Sequence, residues 1–211
     1  MKVKYSFNSF FYDLMGVFYF NREKYSPRAA LLDFIPDSPI RVLDICAGTG
    51  TNSLVIAKSR KQVKVTALDL SGDMLKIADK KCQKAKIDNV ELLAADACNI
   101  CLPDNLFDVV LISLVLHEVE SDVKKAILYE AKRVSKRNGC IIVVEWEQPK
   151  KFLQKIMFST IKVMEPKGFT QFLHADLTAF FNKHCLITVK KQSCDYTQVL
   201  MLSKVEHQIV S

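Results

Sequence analysis

With 211 residues, 49% of them hydrophobic, the chain is long enough to bury one substantial core, and two separately folded domains would be cramped. No apolar run approaches the roughly 20 residues needed to cross a bilayer, since the block at 109–116 is only strand-length. The net charge of +7 is spread over short pairs at predicted helix ends and loops, so a solvated surface is expected and direct nucleic-acid binding is not.

The aromatic segment at 7–20 is interrupted by Asp13 and followed by no small-residue cleavage site, so it reads as a retained part of the fold in a cytoplasmic protein. Residues 26–34 form a predicted helix, which Pro36 and Pro39 end before an apolar strand at 40–45. Strand and helix then alternate, with a second strand at 63–68, a helix at 73–85, a third strand at 90–94, a fourth at 107–114, and a helix through Ser121 and 124–134. Asn138-Gly139 reads as a left-handed cap closing that helix, and 140–145 as a fifth, almost continuously apolar strand. Continuously apolar short strands between amphipathic helices describe an α/β fold, a mostly parallel sheet buried on both faces.

The last third differs. Residues 151–172 are amphipathic and rich in Phe and Met, a short helix is expected near 176–182, and two β-rich segments at 186–192 and 197–202 are spaced to pair as an antiparallel hairpin. Phe152, Met157, Phe158, Ile161, Met164, Phe169 and Phe172 fit a core-facing helix pair or a lid over an apolar acceptor. The seven cysteines are an odd number in mostly apolar surroundings, which fits reduced thiols. Cys98 and Cys101 have metal or redox spacing, yet no second pair or nearby histidine completes a site, and no metal is expected.

The chemistry is concentrated where the first strand meets its helix, in Asp44-Ile45-Cys46-Ala47-Gly48-Thr49-Gly50. Gly48 and Gly50 let backbone approach a ligand closely, and the helix expected from Thr51 offers free amides to an anion. Nineteen residues after Gly50, Asp69 ends the second strand, where a carboxylate can accept both hydroxyls of a ribose; the lesser alternative is that Asp69 or Ser71 simply caps the next helix. Asp96 follows the third strand, placed to accept an exocyclic amine. Three acids at the carboxyl ends of three successive strands mark the edge where open α/β sheets bind ligands.

These motifs resemble those of class I S-adenosylmethionine-dependent methyltransferases. Asp44 to Gly50 is similar to their glycine-rich first motif, Asp69 and Asp96 to their ribose and adenine acids, Phe107-Asp108-Val109-Val110 to their fourth strand, and Asn138-Gly139 with the strand after it to their next motif. Tyr12-Asp13-Leu14-Met15 echoes the ubiquinone and menaquinone biosynthesis C-methyltransferases of the small-molecule branch. The resemblance covers about residues 40–146, and Cys46 and Glu118 depart from it, standing where relatives have a glycine and often a second histidine. It implies a Rossmann-like three-layer sandwich with a seven-stranded, mostly parallel sheet whose last strand is antiparallel. It also implies one domain, with a helical cap at 1–39, the cofactor-binding core at 40–146, a lid and helix at 147–183 and closing strands at 184–211.

The implied cofactor is S-adenosyl-L-methionine, with S-adenosyl-L-homocysteine as product. The implied cofactor-binding residues are Asp44, Cys46, Ala47, Gly48, Thr49 and Gly50 around the methionine end, Asp69 on the ribose, Leu70 and Met74 on adenine, Asp96 and Ala97 at its edge, and Ser113 beyond them. The partner would be a small apolar or aromatic acceptor of unspecified identity, bound past 113–117 by a monomer or a dimer. His117 is the first candidate general base because its ordinary pKa suits proton removal near neutrality, although a structural histidine ending a strand is equally consistent. Tyr12, Glu145 and His174 are further candidates. A nicotinamide-dependent oxidoreductase would also join a glycine turn to a ribose acid, but it expects a third glycine where Ser53 stands and no acid where Asp44 stands. A non-catalytic adenosyl-binding protein is the remaining alternative.

Overall fold

The computed structural model describes residues 26–149, 152, 154, 155, 158, 159 and 168–205. The segment at 7–20, Tyr12, Met157, Ile161 and Met164 lie outside the described residues. Helix α1 (Pro27–Phe34) starts where Ser26 Oγ accepts the Arg28 amide at 3.2 Å, with proline, which needs no amide partner, in its first turn. Chain order then runs β1 (Arg41–Ile45), α2 (Thr51–Ser59), β2 (Lys64–Asp69), α3 (Gly72–Ala85), β3 (Val90–Ala94), β4 (Phe107–Ser113), α4 (Ser121–Val134) and β5 (Ser135–Trp146). After helical residues around Phe158 come α5 (Phe169–His174), α6 (Leu177–Lys183), β6 (Leu186–Ser193) and β7 (Thr197–Lys204).

The seven strands form one sheet in the order β3-β2-β1-β4-β5-β7-β6. β3, β2, β1, β4 and β5 are mutually parallel, whereas β7 enters antiparallel between β5 and β6. This is the predicted α/β architecture with an antiparallel last strand. Because successive strand residues point to opposite faces, each strand feeds two cores. Leu43, Val110, Ile112, Ile141 and Val143 pack beneath Ile127, Leu128 and Ala131 of α4 and Phe181 of α6. Val42, Val65, Leu111 and Ile142 pack against Leu31 and Phe34 of α1 and Ile56 of α2. A third, aromatic cluster joins Trp146, Phe158, Phe169 and Tyr196. Phe158 and Phe169 are thus core residues, while Phe152 is exposed. Among the described residues no helix is long and apolar enough to cross a membrane.

One expectation is corrected. Asn138-Gly139 is not a left-handed helix cap: α4 ends at Val134 with extended backbone at Ser135, and both residues lie within β5. They belong to a bulge, because β4 advances from Phe107 to Val109 while its partner advances from Ser135 to Cys140. Gly139 is needed there because a Cβ would meet the Asp108 carbonyl oxygen at 2.9 Å and the Lys136 backbone at 3.1 Å. Lys136 Nζ closes the bulge on Asp108 Oδ1 at 2.6 Å.

Candidate cofactor and acceptor sites at the carboxyl edge of the sheet

The parallel register brings the ends of β1, β2 and β3 side by side: Ile45 pairs with Leu68, and Asp69 with Ala94. The chain leaves β1 through Cys46 in the left-handed region at φ 56°, a strained choice for a side chain with a Cβ and the position where a glycine would be at ease. The turn is fixed by the Ala47 amide on Leu68 O and the Gly50 amide on Ala47 O, both at 2.9 Å.

The two glycines answer different demands. Gly48, at φ 55°, has no atom of the described residues within 4 Å of where a Cβ would stand, so among them its left-handed backbone borders open space. Gly50, at φ 70°, is hemmed in by the Ala78 Cβ, which would lie 2.8 Å from an added Cβ, and it lets α2 begin hard against α3.

Asp69 binds this corner directly. Its Oδ2 accepts the Gly48 amide at 2.8 Å and its Oδ1 accepts the Ser71 amide at 2.8 Å. Each carboxylate oxygen retains a lone pair for a further donor. Ser71, not Asp69, is the N-cap of α3, accepting the Met74 amide at 3.4 Å. Leu70 is 71% exposed beside this corner, while Met74 is buried. Asp96 stays exposed, its Oδ1 taking the Cys98 amide at 2.8 Å in a turn that buries Ala97.

Asp44 lies under the loop and is 1% exposed, accepting the buried Ser53 hydroxyl at 2.6 Å. Burial pushes its carboxyl up to about 7, with the Ser53 hydrogen bond opposing and the Asp69 charge reinforcing the rise. Burial likewise pushes the Cys46 thiol up to about 12, helped by the Asp69 and Asp44 charges, so it is a neutral thiol and no nucleophile.

The turn carrying Asp96 is braced from α4. Glu130 Oε2 accepts the Ile100 amide at 2.7 Å. Arg133 donates to Ile100 O at 2.6 Å, Leu102 O at 2.8 Å and Asp104 Oδ1 at 2.7 Å while forking onto Glu130. Cys98 and Cys101 are free thiols, and among the described residues no group of His, Cys, Asp or Glu is arranged to hold a metal.

Beyond β4, past the half-buried Ser113, the chain turns at Leu114 with φ 56°. The fully buried Glu145 of β5 organises the residues after that turn. Its Oε1 accepts the Val115 and Leu116 amides at 3.1 and 2.7 Å, and its Oε2 pairs with His117 Nδ1 at 2.8 Å. A carboxylate partner fixes the hydrogen on Nδ1 and leaves Nε2 as the basic atom, 3.8 Å from Glu118 Oε1. Phe169, Phe172 and Trp146 surround the imidazole with ring centroids at 5.5, 6.0 and 6.3 Å. His174 is exposed on α5 and does not join this group.

Sequence reasoning ranks Glu145 only as a weak proton carrier and misses Lys81, whose Nζ lies 2.7 Å from Thr49 Oγ1 and 3.2 Å from Thr51 Oγ1. Its signal is a lysine seven residues after Met74 and three after Ala78, on the inward stripe of α3.

The Methyltransferase domain family matches residues 42–139, which include the glycine corner, Asp69, Asp96 and His117. The demethylmenaquinone methyltransferase of Listeria welshimeri is 37% identical over 109 residues, 51% of this chain and 45% of that enzyme. The chain thus spans about half the length of the curated relatives it matches. In fold, the chain is similar to a SAM-dependent methyltransferase from Aquifex aeolicus, with a TM-score of 0.69 at 21% identity over 95% of this chain and 98% of that one. It is also similar to a putative S-adenosyl-L-methionine-dependent methyltransferase from Methanococcus maripaludis, with a TM-score of 0.74 at 16% identity over 100% and 98% of the two chains. Residues 42–139 match a methyltransferase domain, and the chain resembles class I S-adenosylmethionine-dependent methyltransferases, in sequence those that act on demethylmenaquinone and in fold those solved from Aquifex and Methanococcus.

Proposed function

We propose that this chain transfers the methyl group of S-adenosylmethionine to a small apolar or aromatic acceptor bound beside His117. The observation that carries the proposal is the space that the described residues leave open at Gly48, bordered by the Asp69 carboxylate, 2.8 Å from the Gly48 amide. A backbone bare on its open side next to a fixed acid suits an adenosyl group with a thioether chain, and it leaves room that a side chain would fill. In this reading Ala47, Gly48 and Thr49 receive the methionine end, Asp69 the ribose, Leu70 and Met74 the adenine faces, and Asp96 with Ala97 its amine edge. Ser113 lies between cofactor and acceptor, and Asp44, Cys46 and Gly50 shape the loop from below.

S-adenosylmethionine, when bound, supplies a methyl group already activated on a sulfonium. The protein therefore has to align the acceptor and exclude water, and alignment of this kind contributes about 7–11 kcal/mol without a covalent intermediate. His117, oriented by Glu145, takes the acceptor proton at Nε2 as the new bond forms. The aromatic wall of Phe169, Phe172 and Trp146 favours an apolar acceptor. We assign residues 147–183 to covering that acceptor and Tyr12 to a secondary role in its proton transfer.

The test is calorimetry with S-adenosylhomocysteine, followed by radiolabelled methyl transfer to demethylmenaquinone, the acceptor in the Listeria relative's name, and to a fractionated metabolite extract. Micromolar binding and label in one extractable apolar product are expected. Tight NADH binding with no affinity for S-adenosylhomocysteine would overturn the proposal, and cofactor binding without turnover would leave an adenosyl-binding protein.

A further inference from the structure

We infer that the cavity between the C-terminal end of α4, the turn into β6 and the end of β7 is a second binding site, for a small phosphorylated anion held across Lys132 and Lys204. It lies at the edge of the sheet opposite the glycine corner and does not depend on the cofactor reading above.

The sheet topology builds the cavity. β7 runs antiparallel to β5, so its last residues return to the amino edge of the parallel strands, where α4 ends and β5 begins. β6 starts at that same edge, with Leu186 paired to Lys204. Tyr129, Lys132 and Arg133 of α4, together with Cys185, Lys204 and Val205, line a cavity of about 380 Å3, within the range of small-molecule sites. Lys132 reaches from α4 to the turn before β6, its Nζ donating to His184 O at 2.8 Å. Lys204 reaches from β7 back to the end of α4, its Nζ donating to Ser135 O at 2.8 Å and Lys132 O at 3.3 Å.

Charge around this cavity is of one sign. Arg133 is neutralised by Glu130 and Asp104, whereas Lys132 and Lys204 meet only carbonyl oxygens, and no carboxylate of the described residues lines the cavity. An ammonium has three donors. After these bonds two on Lys132 and one on Lys204 have no acceptor among the described residues. Further cations crowd the pair: burial and then the Arg137 charge hold Lys204 below its ordinary pKa, and burial and then the Lys132 and Lys125 charges do the same to His184. Capping the carbonyl end of α4 accounts for Lys204. It does not account for Lys132 being held close by, also without a carboxylate. A phosphoryl group answers this arrangement, because it brings close to two negative charges and three acceptor oxygens, and lysine binds it as a point charge. The cations gather about one concavity rather than along a stripe, which fits a compact anion rather than a polymer backbone. Tyr129, 63% exposed, adds a phenolic donor.

The experiment uses two exposed thiols of the same molecule, Cys185 in the cavity as probe and Cys101 outside it as reference. Alkylation of each by N-ethylmaleimide is followed by mass spectrometry on the full chain, as the ratio of rates with and without inorganic pyrophosphate, and sodium chloride at matched ionic strength is the control. Pyrophosphate is expected to slow alkylation of Cys185 about fivefold or more and to leave Cys101 unchanged, with half-saturation on the order of 1 mM or below, as fits a few charge-assisted hydrogen bonds. Lys132→Gln and Lys204→Gln are expected to abolish the protection, and Lys132→Arg to retain it. Thermal melts show that each variant is folded, and Lys132→Gln, which leaves the cap on α4 in place, decides the case should Lys204→Gln not fold. Protection that sodium chloride reproduces, that Cys101 shares or that persists in Lys132→Gln would overturn the proposal. Protection by a single-stranded oligonucleotide but not by pyrophosphate would overturn it in favour of a nucleic-acid contact.

Discussion

Asp69 and Gly48 are joined by a 2.8 Å hydrogen bond from backbone amide to carboxylate, so the acid that ends β2 and the open glycine after β1 move as one unit. A disturbance at either is therefore felt on both sides of the site. Asp69→Ala is expected to weaken S-adenosylhomocysteine binding by about 1–3 kcal/mol, losing the ribose contacts and the brace on Gly48 together. An unchanged dissociation constant in calorimetry would argue against a ribose at this carboxylate.

The two glycines should separate stability from binding. Gly50→Ala forces a Cβ to 2.8 Å from that of Ala78 at φ 70°, and a stability loss of about 2 kcal/mol or more in urea denaturation is expected. Gly48→Ala meets no atom of the described residues, so its stability loss should be confined to the left-handed backbone, about 1 kcal/mol, while its methyl group enters the space proposed for the cofactor. Loss of S-adenosylhomocysteine affinity with a small stability change is the expected signature of Gly48→Ala. Comparable stability losses for both variants would contradict it.

Glu145 is fully buried and accepts the Val115 and Leu116 amides as well as His117 Nδ1. Glu145→Ala strands buried donors, and a destabilisation of about 2–4 kcal/mol is expected from chemical denaturation. His117→Gln should leave S-adenosylhomocysteine binding intact while lowering turnover by about 100-fold, a general base contribution. Unchanged turnover in His117→Gln would reduce the pair to a structural brace.

Buried Asp44 makes stability depend on pH in a direction opposite to that of an ordinary paired aspartate. Its carboxyl titrates near 7 in the folded protein against an ordinary value of 3.8, so the folded state binds more protons between those values. Its contribution is therefore fully present below the unfolded pKa and declines as pH rises through about 7. Asp44→Asn should remove this component, and wild type should lose about 2 kcal/mol relative to the variant between pH 5 and pH 7.5. Parallel stability curves for the two proteins would show that Asp44 does not titrate in this window.

The strands are legible in the sequence because a strand buried on both faces is a short continuous apolar run, as in Val42-Leu43 or Val110-Leu111-Ile112, and because Ser26, Ser71 and Asp176 announce their helices with the expected side-chain caps. Asn138-Gly139 misleads because the same dipeptide suits a helix cap and a bulge. Only the pairing of Phe107 and Val109 with Ser135 and Cys140 decides between them, and pairing is a long-range property. In the proposed site, Gly48, Asp69 and Asp96 are candidates that spacing alone singles out. The contacts of Lys81 with Thr49, Glu145 with Leu116 and Arg133 with Ile100 each span about thirty residues, and local pattern carries no information about them.

Of the described strands β7 is the last in chain order and yet the one that joins β5 to β6. Until it does, β6 has no neighbour within the sheet and the apolar flank of β5, Ile141 to Val144, stays unzipped. A nascent chain paused before Thr197 thus presents a sticky open margin, and it is there that a ribosome-bound chaperone would be needed most.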